Sequence, residues 1–153
     1  MGQLSEAIKA QESSGNASAV NSISGAYGLF QIMPDNWHEW STEAGIPDAD
    51  MESPGNQTIV ATYKLDQYER AYGSEGARVA WYAGEQNGRR WAEGAPDAID
   101  ADGNHYSWDA PQEGGAPSIR QYVQEVGEKL GLGGYVAGEH AGRYYAGFSG
   151  LEK

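Results

Sequence analysis

Apolar positions recur at helical spacing in several separate stretches of the chain, and breaks rich in glycine, proline and aspartate part them. Leu4, Ala7, Ile8 and Gln11 predict a first helix from about Gln3 to Ser13, ended by Ser14, Gly15 and Asn16. Small polar residues then run as a loop to Ser24. Gly25 to Gly28 read as a turn into a short second helix, Tyr27 to Met33, closed by Pro34. The sequence DNWHEW is a further helical turn with Trp37 and Trp40 on one face. After a Pro/Gly/Asp-rich connector from Ala44 to Gly55, Asn56 caps a helix over Gln57 to Tyr72. Its Ile59, Val60 and Tyr63 are expected to face inward, with Gln67 and Tyr68 near the rim. A break at Gly73 and Ser74 precedes a short apolar helix, Glu75 to Ala83, apolar enough to be central.

From Gly84 to Ala116 periodicity fades, and Trp91 and Trp108 sit among Gly, Pro, Asp and Asn. Linkers rarely carry two tryptophans, so this stretch reads as a long ordered loop. Pro117 suits the first turn of a helix whose Ile119, Tyr122, Val123, Val126 and Leu130 form the cleanest amphipathic stripe in the chain. No segment reads as a strand and no internal repeat is visible. The fold class is therefore mostly α, with a folded domain over residues 1–130 and a Gly-rich C-terminal extension over 131–153.

Composition narrows what such a domain can do. At 153 residues it is about one domain long, enough to hold a core without staples. Without cysteine it has neither a disulfide framework nor a thiolate metal site. His38, His105 and His140 are scattered, with no ligand spacing around them, and dinucleotide and phosphate-cradle patterns are missing. Neither metal nor cofactor is expected. Ten Lys and Arg against 22 Asp and Glu leave a net charge of −12, which argues against nonspecific binding to nucleic acid or to an anionic membrane. No run approaches the ~20 apolar residues of a membrane span. The start, MGQLSEAIKAQE, lacks the basic and apolar regions of a signal peptide. Five Trp and ten Tyr against two Phe favour rings with a polar edge, as carbohydrate clefts require.

Candidate chemistry concentrates between Gln11 and Pro34, which reads QESSGNASAVNSISGAYGLFQIMP. Glu12 falls in the last turn of the first predicted helix, where the negative end of the helix dipole disfavours an ionised carboxylate. That is the direction a general acid needs, because glycoside cleavage requires a proton delivered to a poor leaving group.

Glu12-Ser13, followed by Gly25-Ala26-Tyr27-Gly28-Leu29-Phe30-Gln31-Ile32-Met33-Pro34, resembles the signature of the soluble lytic transglycosylase (SLT) family, whose pattern is ES, a spacer, then GAxGLMQIMP. Ala80-Trp81-Tyr82-Ala83-Gly84 occupies the place of that family's AYNAG motif, and Tyr122-Val123 resembles its final YV. The resemblance implies a lysozyme-like helical domain that cleaves the MurNAc-GlcNAc β-1,4 bond of peptidoglycan and leaves a 1,6-anhydro sugar. It implies Glu12 as the single catalytic acid and base, assisted by the substrate's own N-acetyl group, an accepted exception to the two-carboxylate rule. By the same resemblance Ser13 orients Glu12, Gln31 faces the sugar, and Tyr27, Trp81, Tyr82 and Tyr122 contact glycan; Gly25 and Gly28 read as structural, permitting positive φ or close approach of backbone.

Trp81-Tyr82 departs from the family's Tyr-Asn, and one residue's shift on a helix turns a side chain by about 100°. Glu85, Asp35, Asp48 and Asp50 are extra acids, read as solvated. One of them positioning a water would give hydrolysis instead, as in goose-type lysozymes. A glycan-binding module or a structural part of a virion is the non-catalytic alternative. The expected partner is the peptidoglycan glycan strand, met by a monomer or by a domain of a larger virion or envelope protein. The expected location is the bacterial envelope (periplasm) or a phage particle.

Overall fold

The computed structural model of the chain describes residues 2–133. It is mostly helical and falls into two compact units, one ending at Asp66 and the other starting at Gln67. Among the described residues no helix is long and apolar enough to cross a membrane. The Gly-rich extension lies outside the described residues from position 134 onward.

In the first unit, α1 (Gly2–Ser13) buries Leu4, Ala7 and Ile8, as their spacing predicts. It stops where Ser14 and Gly15 enter the left-handed region, at φ 54° and 86°. The loop after it is shaped by Asn16 and Asn21, whose side-chain oxygens accept backbone N–H groups two and three residues on.

The expected helix over Tyr27 to Met33 is not there. Tyr27 instead pairs with Ile32 through two backbone hydrogen bonds, at 2.9 and 3.1 Å, and also bridges Val20. Gly28 at φ 85° and Gln31 at φ 52° turn the chain in a way no right-handed helix allows. The compact apolar run of Leu29, Phe30 and Ile32 is buried as a turn, so its hydrophobicity marks core and not helical period.

Pro34 opens a helix here and does not close one. It stands in the first turn of α2 (Pro34–Glu43), where its missing N–H costs nothing. Trp37 is buried and donates to the Ala49 carbonyl at 2.9 Å. Lys64 is buried, pairs with Glu43 at 2.9 Å and lies over the Trp40 ring.

The third helix, α3 (Pro54–Ala83), begins two residues before the expected cap. Its buried stripe in the first unit is Gln57, Val60, Ala61, Lys64 and Leu65, at spacings of three and four. Ile59 falls outside that stripe and is 48 % exposed, contrary to the expectation that it faces inward. Tyr68, expected at the rim, is 5 % exposed. The predicted interruption is present at Gly73, with φ 77° and ψ 174° inside the helical run.

In the second unit the stretch read as one long loop contains a helix and a hairpin. Helix α4 (Glu85–Ala92) carries Glu85 in its first turn and Arg89 and Arg90 in its last, each complementing the helix dipole. Strands β1 (Ala98–Ile99) and β2 (His105–Tyr106) pair antiparallel, Ala98 opposite Tyr106 and Ile99 opposite His105. Asp100 closes the connecting loop by accepting the N–H groups of Asp102 and Asn104. Helix α5 (Ile119–Gly133) runs past the expected end of the folded region at 130. Its stripe joins Val79, Ala98 and Trp108 in the core through Ile119 and Val123, and Trp91 meets Trp108 edge-on at 4.9 Å.

Helices α3 and α4 approach through glycine. A Cβ on Gly88 would stand 2.6 Å from the Ala80 Cβ and 2.7 Å from the Gly76 carbonyl oxygen. Nearby, Arg78 donates to the Val123 carbonyl and to Ser74, and burial pushes its guanidinium below the ordinary value against the pull of Glu75, Glu69 and Tyr122.

Two predictions follow from the second unit. Gly88→Ala overpacks the crossing and costs about 1–3 kcal/mol, whereas Gly131→Ala, with nothing among the described residues within 4 Å of the new methyl, is stabilising by about 0.5–1 kcal/mol in a helix. Thermal midpoints measured side by side should move in opposite directions. At the hairpin, a hydrogen bond from the His105 ring, with Arg90 beside it, holds the Asp97 carboxyl below the usual carboxylate range. That stabilisation is complete above the ordinary carboxylate value and is lost as pH falls through the lower folded one. Below about pH 4, the midpoint of the wild type should fall more steeply than that of Asp97→Asn.

Candidate active site

Glu12 stands half-buried in the last turn of α1, next to Ser13, the helix's last residue. The Ser13 hydroxyl has two acceptors in reach, the Leu29 carbonyl at 2.7 Å and the Lys9 carbonyl at 3.2 Å. A hydroxyl owns one proton, and the shorter contact is the better bond. Ser13 therefore moors the chain beside Glu12 to the turn that follows Tyr27. Its oxygen also accepts the Gly15 N–H at 3.1 Å, which fixes the backbone as it leaves the helix.

Leu29 is held from its other side as well. Its N–H donates to the Gln57 side-chain oxygen at 2.9 Å. The Gln57 amide nitrogen donates to the carbonyls of Met51 and Ala17, at 3.0 and 3.2 Å. Gln57 is only 1 % exposed, so its amide depends on these three backbone groups for its hydrogen bonds. The amide lies against Gly28, where a Cβ would come within 2.6 to 2.9 Å of the Gln57 amide atoms. Gly28 is thus required twice, for its φ of 85° and for this approach.

Gln31 sits in the same turn. Its amide nitrogen donates to the carbonyls of Ala19 and Gly28, at 3.1 and 3.0 Å, and among the described residues its side-chain oxygen makes no hydrogen bond. Tyr27 keeps its side chain half-buried while its backbone is committed to Ile32. The structure therefore brings Ser13, Gln31 and Tyr27 onto one hydrogen-bonded loop system that starts beside Glu12.

The remaining sequence candidates belong to the second unit. Trp81 is half-buried. Tyr82 donates its hydroxyl to the Pro117 carbonyl at 2.5 Å and stacks on Tyr122, ring centroids 4.1 Å apart and 7° from parallel. Tyr122 is 2 % exposed, so this ring pair packs α3 against α5. Among the extra acids, Asp35, Asp48, Asp50 and Glu85 are all exposed. Glu85 accepts the Tyr72 hydroxyl at 2.5 Å and thereby raises that phenol above its ordinary value. Among the described residues no three His, Cys, Asp or Glu side chains gather as a metal site would need.

The reading from sequence makes Gln57 no more than the first residue of a helix. The signal that marks it is its place on the stripe of Val60, Ala61, Lys64 and Leu65, where an amide must find backbone partners.

Chemically, a half-buried carboxyl at the negative end of a helix has the placement of a proton donor. The loop that follows it has many of its backbone groups paired, and the Gln31 side-chain oxygen keeps its accepting capacity among the described residues.

The fold is similar to that of the lytic transglycosylase Slt from Pseudomonas aeruginosa, solved by X-ray as an inactive mutant. The two share 23 % identity with a TM-score of 0.53, over 86 % of this chain and 22 % of the other. The chain thus spans about a fifth of that protein's length. Among curated proteins no relative matches. The model of the transglycosylase SLT domain matches residues 2–102, a span that contains Glu12, Ser13 and the whole Gly25–Pro34 turn. The chain belongs to the transglycosylase SLT domain family and has its lysozyme-like helical fold.

Proposed function

We propose that this domain is a peptidoglycan lytic transglycosylase in which Glu12 acts first as acid and then as base. The observation that carries the reading is the 2.7 Å bond from Ser13 to the Leu29 carbonyl, which ties the end of α1 to the turn bearing Gln31. In the first step the Glu12 carboxyl gives its proton to the oxygen bridging MurNAc and GlcNAc. The C1–O bond breaks as the N-acetyl carbonyl of MurNAc shares the positive charge at C1. In the second, the Glu12 carboxylate takes the proton of the C6 hydroxyl while O6 bonds to C1. The 1,6-anhydro ring closes, Glu12 is restored, and no water is consumed.

The proposed glycan contacts in the first unit are Gln31, through its side-chain oxygen, and Tyr27 in the same turn. Such a domain works in the bacterial envelope, as part of an envelope protein or carried there by a phage particle. Metal and cofactor have no step in this scheme.

Purified peptidoglycan digested with the protein and weighed by mass spectrometry tests the proposal. Fragments ending in anhydroMurNAc, lighter by one water than reducing ends, are the expected product. Reducing ends would make the enzyme a hydrolase, and no release at all would leave a glycan-binding or structural module. Glu12→Gln should lower the rate by about 10²- to 10⁴-fold, the usual contribution of a general acid. A Glu12→Gln protein as active as wild type would remove Glu12 from the chemistry.

A further inference from the structure

We propose that Gln57 is a positioning residue for Glu12, acting through Leu29 and Ser13; this rests on Glu12 being the catalytic carboxyl. A buried amide on the core stripe of a helix has to satisfy one acceptor and two donors, and Gln57 does so with backbone from three separate segments. None of those partners is a side chain, so the arrangement depends on Gln57 itself. Its bond to the Leu29 N–H lies on the peptide plane before the Leu29 Cα. The bond from Ser13 to the Leu29 carbonyl lies on the plane after it. Held on both planes, Leu29 has neither torsion free, and the Ser13 hydroxyl meets an acceptor that cannot swing away. Ser13 is joined to Glu12 by one peptide bond, so the position of the carboxyl-bearing residue follows from that of Gln57.

The same amide occupies the space that any side chain at position 28 would need. It therefore sets the path of the turn from Gly28 into Gln31, whose own nitrogen is bonded to the Gly28 carbonyl. One buried residue thus fixes both the mooring of Glu12 and the base of the proposed sugar contact.

Two substitutions separate positioning from mere stability. Gln57→Met keeps the length but loses all three bonds, while Gln57→Glu keeps an oxygen facing the Leu29 N–H and loses donors to Ala17 and Met51. Both should lower the thermal midpoint. With soluble glycan strands, well below either midpoint, Gln57→Met should show kcat reduced about 10- to 100-fold, as a misplaced catalytic group does, with KM within twofold. Gln57→Glu should recover most of that kcat. Ser13→Ala cuts the second link without touching Gln57 and should lower kcat likewise, and the Gln57→Met/Ser13→Ala double should be no worse than the poorer single.

A folded Gln57→Met with wild-type kcat overturns the inference. So does equal loss in Gln57→Met and Gln57→Glu. Should Gln57→Met fail to fold, a Ser13→Ala protein with wild-type kcat overturns it instead. Glu12→Gln assayed alongside tells the two failures apart. If it is inactive while the Gln57 and Ser13 proteins are normal, only the positioning role is lost. If it is fully active, the catalytic reading falls as well.

Discussion

A buried backbone group without a partner costs about 1–3 kcal/mol, and this chain leaves much of its backbone outside helices and ladders. In the first unit the strain of that requirement falls on one amide, that of Gln57. Residues 14–33 contain no helix, and their path is set by isolated bridges, Asx turns and the bonds that Gln57 and Gln31 give to Ala17, Ala19 and Gly28 and that Gln57 takes from Leu29. Neutral amides suit this task because they carry donors and an acceptor at once without the desolvation cost of a charge. The second unit uses the same device. Asn87, buried on α4, donates to the Ala83 and Ile99 carbonyls and accepts the Ile99 N–H, so that one side chain fastens strand β1 to the helices beside it.

Glycine is the complement of these amides. Where an amide or a backbone carbonyl comes close, the facing residue has to lack a Cβ. Gly28 meets Gln57 in this way, Gly88 meets Gly76 and Ala80, and Gly127 leaves room for the Arg78 guanidinium, whose nitrogen would stand 2.9 Å from a Cβ there. The high glycine count of the chain is therefore not only a matter of loops. At these positions it is the condition for helices and turns to pack at backbone distance, and it moves hydrogen-bond donors to places that bulkier residues would screen.

This explains what the sequence could and could not reveal. Helices α1 and α5 were legible because their buried faces are apolar at a 3.6-residue period, and the break at Gly73 was legible because glycine and serine punctuate a long pattern. Helix α4 was not, since the residues it buries are Asn87 and Gly88, polar and side-chain-free, so its inner face carries no hydrophobic signal. The Tyr27–Ile32 turn misled in the other direction, because an apolar cluster of that length looks the same whether helix or turn buries it. Glu12 is singled out in the sequence through its motif. Ile59 reads as a core residue by its hydrophobicity, yet the spacing of Val60, Ala61 and Leu65 points to the buried Gln57 and away from 59.

A mechanism with one carboxyl asks more of position than a mechanism with two. The same oxygen pair has to reach the bridging oxygen in one step and the C6 hydroxyl in the next, so an error in placing it is felt twice, whereas paired carboxylates divide those demands. A carboxyl on the last turn of a helix is exposed to fraying, because that turn lacks the hydrogen bonds that follow it in a longer helix. Bonding the adjacent serine to a residue gripped on both peptide planes removes that freedom. On the proposed mechanism the irregular segment after α1 belongs to the catalytic apparatus, because its route presents Leu29 to Ser13 on one side and to Gln57 on the other.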